Sequence, residues 1–291
     1  MNAQNFKYPI PFVKMSGTGN DFIIIDHRTS FIAPDYQAEF TRLVCRRKYS
    51  VGADGLILIE KSDTADFRWQ FYNGDGSRAE MCGNGARCAA RFAFEKGIAP
   101  KSMRFETTAG TIEAFILGEG GSAVKIRLTA PEDLRLNMTL PVGSMDQVLH
   151  FINTGVPHTV VLVNDAGMVP VAAWGREIRF HERFQPAGTN ANFVQVLADG
   201  KLMVRTYERG VEGETLACGT GAVASALISA LLGQAKPPVT VITSGGEQLT
   251  IHFTLSGEGT DRHIDLGAGI FLEGPAHVIY EGQLAPDGLR E

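Results

Sequence analysis

The sequence has 291 residues, 44% of them hydrophobic, so it can bury one large core or two of ordinary size, and disorder is not expected. Its formal net charge of -5 argues against a nucleic-acid binder or a protein held on an anionic membrane, because either would normally carry a basic excess. We therefore expect a small molecule as the partner.

Taken in chain order, short β-branched and aromatic runs predict buried strands, and two stretches rich in Ala or Leu predict helices. The predicted strands are FIIID from Phe22, GLILIE from Gly55, FRWQFY from Phe67, TVVLV from Thr159, NFVQVL from Asn192 and LMVRTY from Leu202. The predicted helices run from Ala86 to Glu95 and from Ala222 to Leu232, and Gly97 and Gly233 follow them as helix stops. The tail PAHVIYEGQL, from Pro275, alternates apolar and polar residues and predicts one more strand, which pairs with either half of the chain.

An internal repeat organises the chain. Cys82 and Cys218 both precede Gly-x-Gly-Ala, in MCGNGARCAARF and ACGTGAVASAL, and subtracting 82 from 218 gives an offset of 136. The same offset relates TGNDF to TGVPH, GADGLILI to GTNANFVQV, and TTAG to TSGG. Because so many segments share one register, the sequence predicts two copies of a unit of about 136 residues.

The repeat predicts an α+β fold of two pseudo-symmetric domains, each a mixed, mostly antiparallel sheet curled around a central helix. The glycine-rich segment LGEGGSA, from Leu117 to Ala123, is the predicted hinge. The predicted domains are residues 1–119, joined by the C-terminal strand at residues 275–291, and residues 120–274.

Cys82 and Cys218 are placed for acid–base chemistry if the predicted helices begin at the Gly-x-Gly. Unpaired N–H groups and the helix dipole favour a thiolate there, lowering a thiol pKa of about 8.5 to roughly 3.5 to 7.5. Two such cysteines across one cleft would remove a proton from one face of a carbon and deliver another to the opposite face, as amino-acid racemisation requires. A lone cysteine before an Ala-rich helix is usually a small core residue, and this interpretation is kept for Cys45 and Cys88, which lack the flanking glycines.

Three segments resemble signature sequences of the diaminopimelate epimerase family: KMSGTGNDFIIID, FYNGDGSRAEMCGNGARCAARF and YERGVEGETLACGTGA. The resemblance extends from Lys14 to GPAHVIYEG near the end of the sequence. It implies an isomerase that interconverts LL- and meso-diaminopimelate without a cofactor, in lysine and peptidoglycan precursor biosynthesis. It also implies the two-domain fold predicted above, an amino-acid substrate and, since family members often pair, a homodimer.

The resemblance implies roles for particular residues. Cys82 and Cys218 are the acid–base pair, and His158 and Glu208 are further catalytic residues. The implied substrate-binding positions are Asn20, Asn73, Gly83, Asn84, Asn190, Glu208, Arg209, Gly219 and Thr220. Diaminopimelate has two amino-acid ends, so a cation is needed for a carboxylate and an anion for an ammonium group.

Structural roles are also consistent with several of these residues. Asn73 lies in NGDG, a strong turn signal, and Glu208 with Arg209 is compatible with an ordinary surface ion pair. His158, after a proline, is compatible with a structural hydrogen bond.

The chain departs from the family's pattern at two places. Val156, in TGVPH, replaces an asparagine that many family members have, and one polar contact to the far end of the substrate is lost. Glu212, in ERGVEGETLACG, is an additional residue that either moves Glu208 and Arg209 relative to Cys218 or is absorbed in the turn. Both changes bear on the choice of substrate.

Other functions stay open from the residues alone. A related racemase would act on histidine or proline, and a sibling isomerase of the same shape would shift a double bond with a carboxylate. A non-catalytic binding protein and a redox protein with a working Cys82–Cys218 disulfide are the remaining classes. The sequence lacks a secretory signal and a bilayer-length apolar run, which predicts a cytoplasmic protein, and its histidine and cysteine spacings predict no metal site.

Overall fold

The computed structural model describes residues 6–118 and 120–290. The described residues form two compact units. The first unit comprises the chain up to Ile126 together with the segment from Gly274 onward, and the second unit comprises Arg127–Glu273. The boundary predicted after residue 119 falls between two strands, beside Glu119, which lies outside the described residues.

Strands dominate both units, and the described residues of each unit include two α-helices. The elements of the first unit are β1 Ile10–Gly17, β2 Asn20–Asp26, α1 Pro34–Val44, β3 Gly55–Glu60, β4 Phe67–Asn73, α2 Gly83–Glu95, β5 Ser102–Thr107, β6 Gly110–Leu117, β7 Ala123–Leu128, which ends in the second unit, and β19 His277–Leu284. Those of the second unit are β8 Glu132–Val142, β9 Met145–Asn153, β10 Pro157–Leu162, α3 Val171–Phe180, β11 Asn190–Val196, β12 Leu202–Glu208, β13 Gly213–Thr215, α4 Gly219–Leu231, β14 Val239–Thr243, β15 Gln248–His252, β16 Leu255–Ser256, β17 His263–Ile264 and β18 Ile270–Pro275, which ends in the first unit.

The strand order is the same in both units. In the first unit the neighbours follow the order β19, β1, β2, β3, β4, β5, β6, β7, and in the second β8, β9, β10, β11, β12, β14, β15, β18. The third and fifth pairings are parallel in each unit, and the others are antiparallel. This agreement confirms the predicted duplication and the mixed, mostly antiparallel sheets.

One helix lies inside each sheet. Helices α2 and α4 each have 13 residues, and both bounds differ by the offset of 136. Strands from both ends of the sheet contact them, β1 and β6 for α2, and β9 and β15 for α4. Because α4 is apolar nearly all round, its residues from Gly221 to Ala230 are buried. The predicted curled sheet around a central helix is confirmed in each unit.

The outer face of each sheet is covered as well. In the first unit Phe40 and Leu43 of α1 pack with Ile23 and Leu56, and in the second unit α3 contacts β11 and β12. Strands covered on both faces need apolar residues at consecutive positions, which explains the run FIIID in β2. The polar residues of β2 stand at the ends of this run, Asn20 and Asp21 before it and Asp26 at its end.

Local signals set the helix ends. The helices begin at Gly83 and Gly219, a few residues before the predicted Ala86 and Ala222, so each cysteine is the N-cap residue. Gly97 and Gly233 follow the helices with φ of 65° and 77°, a conformation that glycine adopts without strain.

The C-terminal tail belongs to the first unit. Strand β19 pairs antiparallel with β1, with Ile10 opposite Leu284. The tail is therefore the predicted extra strand. Among the described residues, no helix is both long and apolar enough to cross a membrane.

Candidate active site

Cys82 lies at the start of α2 in the first unit. Its backbone is extended, with φ of -146° and ψ of 119°, and its Sγ accepts a hydrogen bond from the Gly85 N–H at 3.5 Å. The side chain is half-buried. A sulfur that receives an N–H in the first turn of a helix is stabilised as a thiolate by that N–H and by the helix dipole.

A hydrogen-bonded pair of amide side chains, Asn84 and Asn20, lies at the N-terminal end of α2. Asn84 is 5% exposed, and its Nδ2 donates to Asn20 Oδ1 at 2.8 Å. Asn20 Nδ2 donates to Asp54 Oδ2 at 3.0 Å, so the orientation of the Asn20 amide is set by Asp54 on one side and Asn84 on the other. Within the described part of the chain, one of the two N–H groups of the Asn20 amide makes this bond and the other makes none.

A buried arginine completes this network. Arg87 is 0% exposed and donates to Thr18 Oγ1 at 2.6 Å and to Asn84 Oδ1 at 2.8 Å. It also donates to the backbone oxygen of Pro275 at 3.3 Å, which ties α2 to the returning C-terminal segment of the same unit. The position of Asn84 beside Cys82 thus depends on a residue one turn along the helix.

Asp54 is held by a charge cluster at the surface. Arg47 bonds both Asp54 and Asp21, at 2.9 and 2.6 Å, and Lys14 lies 2.8 Å from Asp21. Burial by itself raises the pKa of Asp21, but hydrogen bonds from Arg47 and Lys14 outweigh it and lower the pKa to about 2. Both aspartates are therefore linked to the cations that fix them near Asn20.

Asn73 is the last residue of β4 and is exposed. Its Nδ2 donates to Ser77 Oγ at 3.0 Å and its N–H to the Ser77 oxygen at 2.9 Å. These bonds close the NGDGS turn that the sequence indicates. The substrate-binding role implied for Asn73 stays a prediction.

Cys218 occupies the equivalent position at the start of α4 in the second unit. Its φ of -130° and ψ of 109° resemble those of Cys82, and it too is half-buried. Its Sγ lies 3.5 Å from the hydroxyl of Thr220, a side-chain contact within the first turn. Thr154 Oγ1 donates to the Thr220 oxygen at 3.0 Å and anchors this turn to the TGVPH segment.

His158 contacts the side chain of Thr220 and is fully buried. Its Nε2 is 2.9 Å from Thr220 Oγ1, and its Nδ1 is 3.1 Å from Asn192 Nδ2. Burial lowers the pKa of His158 to about 3, with a smaller contribution from the charge of Arg209. The imidazole is therefore neutral at physiological pH and reaches Cys218 through a hydroxyl.

The end of β12 carries Glu208, followed by Arg209. Asn190 Oδ1 accepts from the Arg209 N–H at 2.7 Å, while Asn190 Nδ2 donates to the Pro157 oxygen at 3.0 Å. Arg209 also donates through its guanidinium to the Ala187 oxygen at 2.8 Å. Burial raises the pKa of Glu208. An acid and a cation thus occupy consecutive positions at the end of β12 in the second unit.

Glu212 lies in the turn between β12 and β13. It has φ of 56°, and its carboxylate accepts from the Gly210 N–H at 3.0 Å and from Arg179 at 3.1 Å. The Tyr207 hydroxyl donates to the same carboxylate at 3.2 Å. Val156 is the other position discussed for substrate choice. Its backbone oxygen accepts a hydrogen bond from the Thr154 N–H at 3.2 Å.

The predicted residues therefore form two groups, one in each unit. Cys82, Gly83, Asn84 and Asn20 lie together in the first unit, and Cys218, Gly219, Thr220 and His158 in the second. Sequence reasoning missed Asp54 and Asn192, and the only signal for Asn192 was a polar residue inside an apolar strand. The described ranges contain no group of three or more His, Cys, Asp or Glu side chains that would hold a metal ion.

The fold is shared with solved structures. A phenazine biosynthesis protein of the PhzF family from Bacillus anthracis superposes with a TM-score of 0.72 at 16% identity, covering 96% of this chain and 100% of that chain. A hydroxyproline epimerase from Agrobacterium vitis, solved with bound trans-4-OH-L-proline, gives a TM-score of 0.66 at 16% identity, covering 97% of this chain and 94% of that chain. The protein therefore has the duplicated α+β fold found in these racemase-like and PhzF-like structures.

Sequence comparison gives the family. The family model described as diaminopimelate epimerase matches residues 12–132 and 150–268. The diaminopimelate epimerase of Aquifex aeolicus (strain VF5) is 50% identical over 287 residues, which cover 96% of this chain and 99% of the relative. The chain belongs to the diaminopimelate epimerase family, a family of isomerases.

Proposed function

We propose that this protein interconverts LL- and meso-diaminopimelate with two cysteines, one removing the α-proton and the other delivering a new proton, without a cofactor. The observation that carries the proposal is the matched pair of helix N-caps: Cys82 and Cys218 begin two 13-residue helices of the same register in a chain of this family. In this mechanism one cysteine, as thiolate, removes the α-proton from one face, and the electron pair of the C–H bond stays on the α-carbon. The other cysteine, as thiol, delivers a proton to the opposite face and becomes a thiolate, and the two exchange roles in the reverse direction.

The helix starts also serve the carboxylate at the reacting carbon. The first-turn N–H groups of Gly83 and Asn84, and of Gly219 and Thr220, are available to an anion because the first turn of a helix leaves its N–H groups unpaired. Negative charge that develops on the α-carbon passes into this carboxylate, so the same donors stabilise the transition state more than the ground state.

The remaining residues suit the second amino-acid end of diaminopimelate. Arg209 would pair with the far carboxylate and Glu208 with the far ammonium group, while Asn20, Asn73 and Asn190 would supply amide contacts. In the second unit Asn190 already bonds the Arg209 backbone, which supports a joint role. Glu208 keeps a carboxyl group in a half-buried position, where an ammonium partner offsets its burial.

We also propose a compartment, a class of partner and an assembly state for the enzyme. We place it in the cytoplasm, where thiols stay reduced and amino-acid precursors are made. The acidic net charge supports a small-molecule partner over nucleic acid or an anionic membrane. A homodimer is our proposal for its assembly.

One observation favours a second candidate. Val156 places an apolar side chain where many family members have an asparagine. With valine at this position, the site has one polar contact fewer for the far end of the substrate. Such a site suits a single-headed amino acid such as proline or histidine better than a site with asparagine there. This alternative keeps the two-thiol chemistry and changes only the substrate.

Exchange from heavy water tests both candidates. The reduced enzyme is incubated with LL-diaminopimelate, L-proline or L-histidine, and deuterium at the α-carbon is followed by mass spectrometry. We expect exchange and epimerisation with diaminopimelate only. Exchange with the single-headed substrates alone would move the assignment to the second candidate. A parallel sample prepared without reductant tests the redox function, which activity in that sample and none in the reduced enzyme would favour.

Single substitutions test the thiols. Cys82→Ala and Cys218→Ala should each lower epimerisation by about 10² to 10⁴, since each removes one acid–base group. Cys45→Ala is the matched control, because Cys45 is a buried core residue at the C-cap of α1 and its removal should leave activity near wild type. Wild-type turnover in either Cys82→Ala or Cys218→Ala would contradict the two-thiol mechanism, and diaminopimelate binding without turnover in the wild type would indicate a binding protein.

A further inference from the structure

A line of polar side chains leads from Cys218 into the interior of the second unit. The Cys218 sulfur lies 3.5 Å from Thr220 Oγ1, which lies 2.9 Å from His158 Nε2. His158 Nδ1 lies 3.1 Å from Asn192 Nδ2. His158 and Asn192 are both 0% exposed, so their hydrogen bonds are made within the protein.

The orientation of the Asn192 amide is set by its other partners. Thr206 Oγ1 donates to Asn192 Oδ1 at 2.9 Å, and Asn192 Nδ2 donates to the Thr159 oxygen at 2.9 Å. Exchanging the amide oxygen and nitrogen would place the nitrogen's hydrogens against the Thr206 hydroxyl and the oxygen against a carbonyl, which cannot donate to it. The nitrogen therefore faces His158.

This orientation decides the tautomer of the imidazole. Asn192 Nδ2 can only donate, so His158 Nδ1 is the acceptor, and the proton of the neutral ring is on Nε2. The Nε2–H donates to Thr220 Oγ1. The hydroxyl hydrogen of Thr220 is then directed away from His158 and is available to the Cys218 sulfur.

We infer that Thr220, oriented by His158 and Asn192, donates a hydrogen bond to the Cys218 sulfur and stabilises its thiolate. Thr220, His158 and Asn192 are then positioning residues for the proposed epimerase reaction, and the inference rests on Cys218 being one of its two bases. His158 acts here through its fixed tautomer rather than by taking up a proton.

The first unit lacks this arrangement at the matching positions. Subtracting 136 from 158 and 192 gives Phe22 and Leu56, which have no polar group in their side chains. The position matching Thr220 is Asn84, whose amide bonds Asn20 and Arg87. Cys82 is therefore an internal reference for Cys218 in the same molecule.

Alkylation measures the thiolates directly. The reduced protein is treated with iodoacetamide across a range of pH, and the rates at Cys218 and Cys82 are read separately by peptide mass spectrometry. Thr220→Val should move the midpoint of the Cys218 profile up by about one pH unit, roughly a tenfold loss of thiolate below the midpoint, because one hydrogen bond to a charged group is lost. Thr220→Ser should restore the wild-type midpoint, and Cys82 should not change in either variant.

Two results would overturn the inference. One is a Cys218 midpoint in folded Thr220→Val equal to that of the wild type. The other comes from the wild-type protein alone: ¹⁵N-edited NMR of the His158 ring should show a neutral imidazole with its hydrogen on Nε2, and a hydrogen on Nδ1 would refute the donor direction. Neither measurement uses substrate, so failure here leaves the epimerase proposal standing, and failure of that proposal in the exchange assay leaves the alkylation result intact.

Discussion

Gly221 is the residue at which the close packing behind Cys218 is most sensitive to substitution. It lies in the first turn of α4, and a Cβ added there would lie 2.3 Å from Asn192 Oδ1 and 3.3 Å from the Cys218 sulfur. Contacts under 3.0 Å are essentially never seen for a real Cβ, so Gly221→Ala must move the Asn192 amide by about 1 Å. Because Asn192 is fully buried and hydrogen-bonded at both amide atoms, it has no free direction in which to move.

The expected magnitude follows from opposing effects. Alanine in place of glycine in a helix gains up to about 1 kcal/mol. Overpacking costs about 1 to 3 kcal/mol, and each displaced hydrogen bond about 0.5 to 1.5 kcal/mol. The clash therefore prevails, and Gly221→Ala should lower the free energy of unfolding by about 1 to 2 kcal/mol.

Gly85→Ala is the matched control, 136 positions earlier in α2. A Cβ there would lie 3.3 Å from the Cδ1 methyl of Ile57, which has to give by only a few tenths of an ångström. This variant should be within about 0.5 kcal/mol of the wild type, since the helix propensity of alanine offsets the tighter contact. Urea denaturation of both variants gives the comparison. Equal stability of the two variants would refute the assignment of Asn192 as a rigid, immovable neighbour.

Two further predictions concern His158 and Glu212. The pKa of His158 is lowered from 6.5 to about 3 in the folded protein. On acidification the unfolded chain therefore takes up this proton at a higher pH than the folded protein does. The free energy of unfolding that is present above pH 6.5 is lost as the pH falls towards about 3. In urea titrations between about pH 6 and 4, the wild type should lose about 1.4 kcal/mol per pH unit relative to His158→Gln, and parallel pH dependences would contradict this. Glu212→Ala should raise the KM for diaminopimelate roughly fivefold with a smaller effect on kcat. The reason is that the turn that carries Arg209 loses the bonds of Glu212 with Arg179 and Tyr207. An unchanged KM would exclude this role for the turn.

Much of the fold was readable from local signals. Cysteine before Gly-x-Gly and glycine after the apolar run mark the two ends of α2 and of α4, and a helix end depends on residues within one turn of it. The offset of 136 then predicts that both units share one strand order, which the pairings confirm. Periodicity placed the helix starts a few residues late, because the N-terminal glycines are poor helix formers that packing and the N-cap hold in helical conformation.

The candidate residues nearest the cysteines were also predictable, because they stand in the same segments as Cys82 and Cys218. Their partners were not. Asn192 is separated from His158 by a whole helix and from Thr220 by two strands, and its strand pattern indicates only which face of β11 it occupies. Asp54, which orients Asn20, follows a loop whose path the sequence does not define.

The sequence by itself determined the duplication, the central helices and the cysteine at the start of each, since these depend on composition and on spacing along the chain. Only the tertiary structure decided which polar group donates and which accepts in each buried hydrogen bond. A side chain's donors and acceptors are fixed by its covalent structure, but the direction of a buried hydrogen bond depends on every neighbour that the fold brings within about 3 Å. That is why the nitrogen of the Asn192 amide faces His158 while its oxygen faces Thr206, a choice that the sequence of β11 does not contain.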